Sequence, residues 1–440
     1  MPDTSDNHAG ERRAARASLA LGAAATLPVI LAAGLRSVAL LVTGLAGLAV
    51  ATAAVWWFLT SRGAPRLLAG VLVVAAPVAV VVHYAVVGVL WAVLLSLVLW
   101  ALAVGAGRAA LSGGGGARGT AERPARRPRH PFLIMNPRSG GGKVERFHLA
   151  DRARELGADV VVLDPDWPQD LAALARHAVL DGADLLGVAG GDGTQALVAG
   201  VAARHDVPFM VISAGTRNHF ALDLGLDRSD PSTCLDALTD GVELRVDIGR
   251  VGDRVFVNTA SFGAYAAVVQ SPEYREDKAA TTLRMLPDLL TGHRGPRLTV
   301  RAAGTVIDGP QAVLVSNNPY QGGDPAGLGR RERLDSGVLG VLGVTVDNAV
   351  QAAGMLRGRH GSGLTALTAG EAVIDADIAE IPVGVDGEAL TLPAPVRCRI
   401  EPGALRVRVP RHRRRGPRPR PRLDWPRLCR LAFTRNGGVR

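Results

Sequence analysis

Three short stretches have the residue types to hold a phosphorylated ligand: Asn136-Pro137-Arg138-Ser139-Gly140-Gly141-Gly142-Lys143, Ala189-Gly190-Gly191-Asp192-Gly193-Thr194 and Ala214-Gly215-Thr216-Arg217-Asn218. Glycine lets a backbone bend sharply and come close to a ligand. A threonine at a helix start caps it, and the free N–H groups at that end attract anions. Each stretch follows a short apolar run, so all three fall at the carboxyl ends of predicted strands, where open α/β sheets collect ligands. Two other phosphate motifs are absent. GxxxxGK[ST] fails because Pro137 stands at the first glycine position and Val144 follows Lys143. No GxGxxG with a later acidic ribose partner follows a strand.

The elements that must position these loops read out in order. "PFLIMN" (131–136), "DVVVL" (159–163), "DLLGVAG" (184–190) and "PFMVIS" (208–213) are predicted strands, separated by the helical runs "VERFHLADRAREL", "DLAALARHAVL" and "QALVAGVAARH". Short apolar strands alternating with helices predict a parallel sheet covered on both faces. From Glu243 the helices drop out, and "ELRVDIGRV", "RVFVNTA", "RLTVRAAG", "QAVLVSN", "VLGVLGVTV", "EAVIDAD" and "RCRIEPGALRVRV" predict an antiparallel β domain packed beside the α/β one. Helical interruptions near 263–292 and 347–358 are expected to line the cleft between them.

The front of the chain is of another kind. Between Ser18 and Gly107 the only formal charges are Arg36, Arg62 and Arg66. A span that long and apolar predicts four membrane helices, roughly 18–34, 37–60, 67–84 and 86–107. Arg12, Arg13 and Arg16 precede the first, Arg62 and Arg66 follow the second, and Arg108 and Arg118 follow the fourth. The positive-inside rule then places both ends of the bundle, and the part that follows, in the cytoplasm of a multi-pass cell-membrane protein. The expected organisation is a cytoplasmic segment 1–17, a membrane region 18–107, a basic linker 108–130, an α/β domain 131–242, a β-rich domain 243–410 and a basic tail 411–440.

The net charge of +10 is almost all arginine, since Lys143 and Lys278 are the only lysines. Linker and tail suit an anionic membrane surface. The tail reads equally well as a solvated segment, and its few aromatics argue against nucleic acid. Cys234, Cys398 and Cys429 stand far apart, which argues against disulfides and a metal–thiolate site.

Over about 131–410 these pieces resemble the diacylglycerol kinase catalytic domain, the family of bacterial lipid kinases and sphingosine kinases. The resemblance rests on Asn-Pro-x-Ser-Gly-Gly, Gly-Gly-Asp-Gly-Thr and Gly-Thr-x-Asn in the three loops. It continues through Asp247-Ile248-Gly249, Asn258, Ser261-Phe262-Gly263, Asn317-Asn318-Pro319, Leu334-Asp335-Ser336-Gly337 and Asp386-Gly387-Glu388. It implies a two-domain lipid-kinase fold, an α/β nucleotide-binding domain with an antiparallel β-sandwich, that moves phosphate from ATP to a lipid hydroxyl with Mg2+. Asn136, Ser139 and Gly140 would lie near the phosphates, Gly190, Gly191, Asp192, Gly193 and Thr194 under them, and Thr216 beside them. Asp192 would act through magnesium or a water, because a carboxylate does not favour direct contact with phosphate. Asp335 matches the family's metal-holding acidic stretch, although its neighbour is Ser336 rather than a second acid. Asp386 and Glu388 are the candidate general bases, with the choice between them open; their other reading is an Asp-Gly hairpin turn.

Gln195 and His219 also depart from the family pattern, His219 standing where an acid is usual. Two other functions therefore compete. An NAD kinase shares Gly-Gly-Asp-Gly-Thr, and a catalytically weak membrane nucleotide sensor could keep the cradle while losing turnover. The choice of lipid and the oligomeric state are not legible in the residues.

Overall fold

The computed structural model describes residues 4–33, 37–112, 120–167, 169–264, 266, 296–320, 330, 331, 333–345, 363–413 and 424–433. It divides into two compact units, Met1–Arg118 with Arg418–Arg440, and Gly119–Pro417. The helices expected near 263–292 and 347–358 lie almost wholly outside the described residues.

The first unit contains α1 (Thr4–Ala24), α2 (Leu27–Ala33), α3 (Ser37–Thr60), α4 (Ala64–Val86) and α5 (Leu90–Ser112). Four stretches are long and apolar enough to cross a membrane: Gly10–Ala32, Val38–Thr60, Ala64–Val86 and Leu90–Leu111. The first begins at Gly10 rather than Ser18, because arginine is a good helix former and Arg12, Arg13 and Arg16 continue α1 without a break. The last runs into what reads as linker. Glycines on α3 let α4 approach: Val80 packs on Gly47, and the Tyr84 hydroxyl beside Gly44 donates to the Leu40 carbonyl at 2.7 Å. Leu31, Leu67, Val71 and Leu97 remain largely exposed, as lipid-facing side chains should be.

The second unit opens with β1 (Glu122–Pro124), inside the expected linker, and continues with β2 (Pro131–Met135). Then come α6 (Lys143–Arg146), α7 (Leu149–Glu155), β3 (Asp159–Val162), α8 (Leu171–Leu180), β4 (Leu185–Ala189), α9 (Asp192–Arg204), β5 (Phe209–Ile212) and α10 (His219–Asp223). The single helix expected after the first loop is broken between α6 and α7, where His148 takes a left-handed φ of 50°. β2, β3, β4 and β5 are parallel, in the order β5-β4-β2-β3; β4 and β5 are buried throughout and β2 nearly so, whereas the edge strand β3 is half exposed.

The β-rich part contains β6 (Gly241–Val251), β7 (Arg254–Phe256), β8 (Thr259–Gly263), β9 (Leu298–Ala302), β10 (Thr305–Asp308), β11 (Ala312–Asn317) and β12 (Leu339–Val344). It ends with β13 (Leu364–Ala369), β14 (Glu371–Ala376), β15 (Glu380–Val385), β16 (Glu388–Pro393) and β17 (Val396–Pro410). A six-stranded sheet, β13-β12-β11-β8-β15-β16, encloses a core of Phe256, Phe262, Val300, Val315, Ile374 and Val383 with strands of the larger sheet. The two parts are not separate sheets, however. β17 pairs in parallel with β5 and antiparallel with β6 and β14, so one eleven-stranded sheet runs through both. That pairing covers the edge that β5 would otherwise expose.

The basic tail contains one further helix, α11 (Trp425–Phe433), which belongs to the first unit. Leu428 and Ala432 bury against Ala15, Ala110 and Leu111, and the Trp425 ring meets Trp100 edge-on. Neither expectation for the tail, solvated or lipid-bound, includes this helix. Its apolar residues recur at helical spacing between runs of arginine and proline that obscure them.

Candidate functional site

The three glycine-rich loops follow β2, β4 and β5 and pack backbone against backbone. Gly140, at φ 56°, backs onto the Ala214 carbonyl and Gly215. A Cβ at Gly215 would stand 2.7 Å from Gly191 Cα and 2.9 Å from the Gly190 oxygen. No side chain fits at either position, so these glycines are required by the approach of the loops to one another.

Helix α9 starts one turn earlier than its apolar pattern suggests. Gly191 is its N-cap and no side chain caps it, so its first amides are left for another acceptor. Thr194 lies in the first turn, packed on Gly190, rather than serving as the cap. Asn136 folds over its own loop, its Oδ1 accepting from Arg138 N at 3.0 Å. Ser139 is half-buried and Thr216 is exposed.

Asp192 is engaged by the third loop. Its carboxylate accepts from the amides of His219 at 3.1 Å and Phe220 at 3.3 Å, and so caps α10. Gln195 is buried beneath it, donating to the Gly190 carbonyl at 3.0 Å and to Asn218 Oδ1 at 3.4 Å. Among the described residues Gln195 Oε1 and His219 Nδ1 are buried without a partner. Burial holds the His219 imidazole below its ordinary pKa, against the opposing pull of Asp192 and Asp223.

Asp386 and Gly387 form the two-residue turn between β15 and β16, with φ 47° and 87°. Positive φ at both positions is the signature of a type I′ hairpin. The turn reading and the chemical one are thus compatible. The Asp386 carboxylate accepts from Val257 N at 2.7 Å and from Asn258 N and Thr259 N at 2.9 Å each. Burial, with the charge of Asp192, nevertheless pushes its pKa up to about 7; the three amides pull the other way. Glu388 lies over the start of α9, where a Cβ at Gly193 would meet its Oε1 at 2.5 Å. Asp192, Asp386 and Glu388 therefore converge, although they come from opposite ends of the unit.

Asp335 does not join them. It pairs with Arg333 at 2.8 Å and lines a separate hollow of about 530 Å³ with Thr120, Arg123, Asp247 and Gly403. Its neighbour Ser336 donates through both its amide and its hydroxyl to Asn318 Oδ1. Among the described residues no group of three or more His, Cys, Asp or Glu could hold a metal ion. An octahedral Mg2+ needs fewer protein ligands than that, one or two carboxylates with phosphate oxygens and water.

Sequence reasoning missed the pair Asp223 and Arg331, whose side chains are 1% and 0% exposed. No motif marks either residue. Asn317 and Asn318, noticed only through the family pattern, are fully buried and hold the loops around β11 together.

Comparison with known proteins shows what the chain is similar to. The family model described as "Diacylglycerol kinase catalytic domain" matches residues 130–251. A Mycobacterium tuberculosis (strain H37Rv) protein named diacylglycerol kinase is 36% identical over 122 residues, 27% of this chain and 40% of the relative. A Bacillus subtilis (strain 168) protein of the same name is 35% identical over 136 residues, 30% of this chain and 45% of the relative. The chain thus spans less than half the length of the curated relatives it matches. Crystal structures from Bacillus anthracis (strain Sterne) described as diacylglycerol kinases cover 64% of this chain and 98% of their own, at 18% identity, with TM-scores of 0.49 and 0.50. At that identity the likeness speaks to fold.

Proposed function

We propose, from the match of residues 130–251 to the diacylglycerol kinase catalytic domain model, that the chain is a membrane-anchored kinase that transfers the γ-phosphate of ATP to the hydroxyl of diacylglycerol or a related lipid alcohol. One observation carries the reading: the uncapped start of α9 lies between two glycine loops and beneath the carboxylates of the β15–β16 hairpin. Free amides at a helix start suit phosphate oxygens, and a buried carboxylate suits a hydroxyl proton.

In this reading the loops at Asn136–Gly140, Gly190–Thr194 and Thr216 hold the nucleotide. Mg2+, when bound, neutralises charge on the phosphates, with Asp192 the protein carboxylate nearest them. Phosphoryl transfer asks little covalent chemistry of the protein beyond alignment and acceptance of one proton. Asp386 is the better base, because a pKa near 7 matches the operating pH. Glu388, at the start of β16, orients the acceptor. Asp335 remains a candidate metal ligand at a position remote from transfer. The arginine distribution supports a cytoplasmic catalytic unit, with the basic linker and tail lying on anionic headgroups.

The test is incubation of the full chain, in detergent micelles, with radiolabelled ATP and diacylglycerol, a ceramide-like amino alcohol, a polyprenol or NAD. Label in a lipid supports the proposal and names its acceptor. Label in NAD instead, or nucleotide binding without transfer to any acceptor, overturns it.

A further inference from the structure

Asp192 and Asp386 stand on parts of the chain nearly two hundred residues apart, yet hydrogen bonds linked by two short backbone segments join them. The path begins where Asp192 accepts from the first amides of α10. The same short helix ends in Asp223, whose two carboxylate oxygens accept from Arg331 N at 3.0 Å and Arg331 Nε at 2.7 Å. The guanidinium then turns to the β-rich part. Nη1 donates to the carbonyls of Val257 at 2.6 Å and Asn317 at 2.7 Å, and Nη2 donates to Asn258 Oδ1 at 2.8 Å. Val257 and Asn258 are two of the three residues whose amides hold Asp386.

A fully buried ion pair is weak evidence of stability, because stripping water from two charges offsets most of their attraction. What this pair supplies is direction. A planar guanidinium presents donors in a fixed fork, and here the fork meets acceptors on three separate segments. Tyr320 closes the remaining side, its ring centroid 5.7 Å from the Arg331 guanidinium carbon.

We propose that the buried Asp223–Arg331 pair is the positioning element that fixes residues 257–259, and through them Asp386, relative to Asp192. Neither residue touches the reacting atoms. The consequence for turnover rests on the kinase reading; the consequence for the 257–259 segment does not.

The experiment uses the full chain in detergent with Arg331→Lys, and with the apolar double replacement Asp223→Leu with Arg331→Met. An ammonium keeps the charge but not the fork, whereas the double replacement leaves no uncompensated buried charge if the first variant fails to fold. Three quantities are read: amide exchange at 257–259 against exchange in β2 and β4, nucleotide Kd, and kcat with diacylglycerol. The expected result is exchange at least ~10-fold faster at 257–259 with β2 and β4 unchanged, since the opening is local. Nucleotide Kd stays within a few-fold of wild type, and kcat falls by about 10²-fold, as for a misplaced reacting group. Unchanged exchange at 257–259, or equal loosening of β2 and β4 in both variants, overturns the inference. A wild type that transfers no phosphate to any lipid, while its variants still loosen at 257–259, overturns the kinase reading and supports the positioning role.

Discussion

Glu388 lies across the backbone of Gly193 so closely that a methyl group there would meet its carboxylate oxygen at 2.5 Å. The hairpin tip is thereby seated on the first turn of α9. Gly193→Ala is a clean probe of that seat. Alanine is favoured over glycine in a helix by about 1 kcal/mol, and what must move is the Glu388 side chain from Cγ outward, with no backbone in the way. The variant is expected to be at least as stable as wild type by thermal unfolding while kcat drops ~10-fold or more, as positioning effects do. A variant with full turnover would show that Glu388 need not touch α9.

Asp192→Asn keeps shape and one acceptor oxygen while removing the charge. Loss of capping should cost no more than ~1 kcal/mol in a denaturant titration. Turnover should fall by more than ~10²-fold if, as proposed, this carboxylate serves the nucleotide's phosphates through Mg2+. A loss of only a few-fold, on the order of 1 kcal/mol of barrier, would reduce Asp192 to a cap.

Asp386 has a pH signature. Its folded pKa, about 7, lies above its ordinary value of 3.8. The folded state therefore holds the proton more tightly, and this group's contribution to stability is full below the unfolded pKa and lost as pH rises toward 7. Activity runs the other way, since a base must be ionised. Thermal unfolding should thus show stability from this group declining between about pH 4 and 7 while kcat climbs through the upper part of that window. Asp386→Asn should remove both trends and lower kcat by ~10²-fold or more, with ATP affinity retained. Glu388→Gln should be milder. An acid limb that persists in Asp386→Asn would assign the base elsewhere.

Much of this site was legible because its features are local. The three loops are short runs of glycine and small polar residues after apolar strands, and spacing alone places them on one sheet edge. The Asp386-Gly387 turn announces itself by composition. Asp223 and Arg331 do not, because their meaning lies in a pairing across more than a hundred residues and arginine is abundant everywhere in the chain. β17 is similar: alternation predicts a strand but not that its far half completes a parallel sheet. Thr194 was misjudged because the helix begins at Asp192, before any apolar residue could mark the start.

Leu428 offers a test of the C-terminal helix. It is fully buried against Ala15, Ala110 and Leu111, and packs beside Gly107. Leu428→Ala should destabilise the helical unit by about 2 kcal/mol, the lower end for a buried leucine, read as an earlier thermal transition of the full chain in detergent. Nucleotide affinity should not change. An unaltered transition would mean that α11 is a passenger.

Glu122 and Arg413 meet at 2.7 Å, so the catalytic unit's first strand and its last described residue close on each other. Topologically, that unit is an insertion in the loop between α5 and α11. A ribosome making this chain releases the four membrane helices early and must then finish about three hundred further residues before α11 exists. The bundle is therefore completed only by a helix made after the whole of the second unit. A product truncated anywhere within the insertion lacks α11 and leaves the seat of Leu428 bare beside Gly107 and Ser18, an apolar patch uncovered by the loss of one short helix.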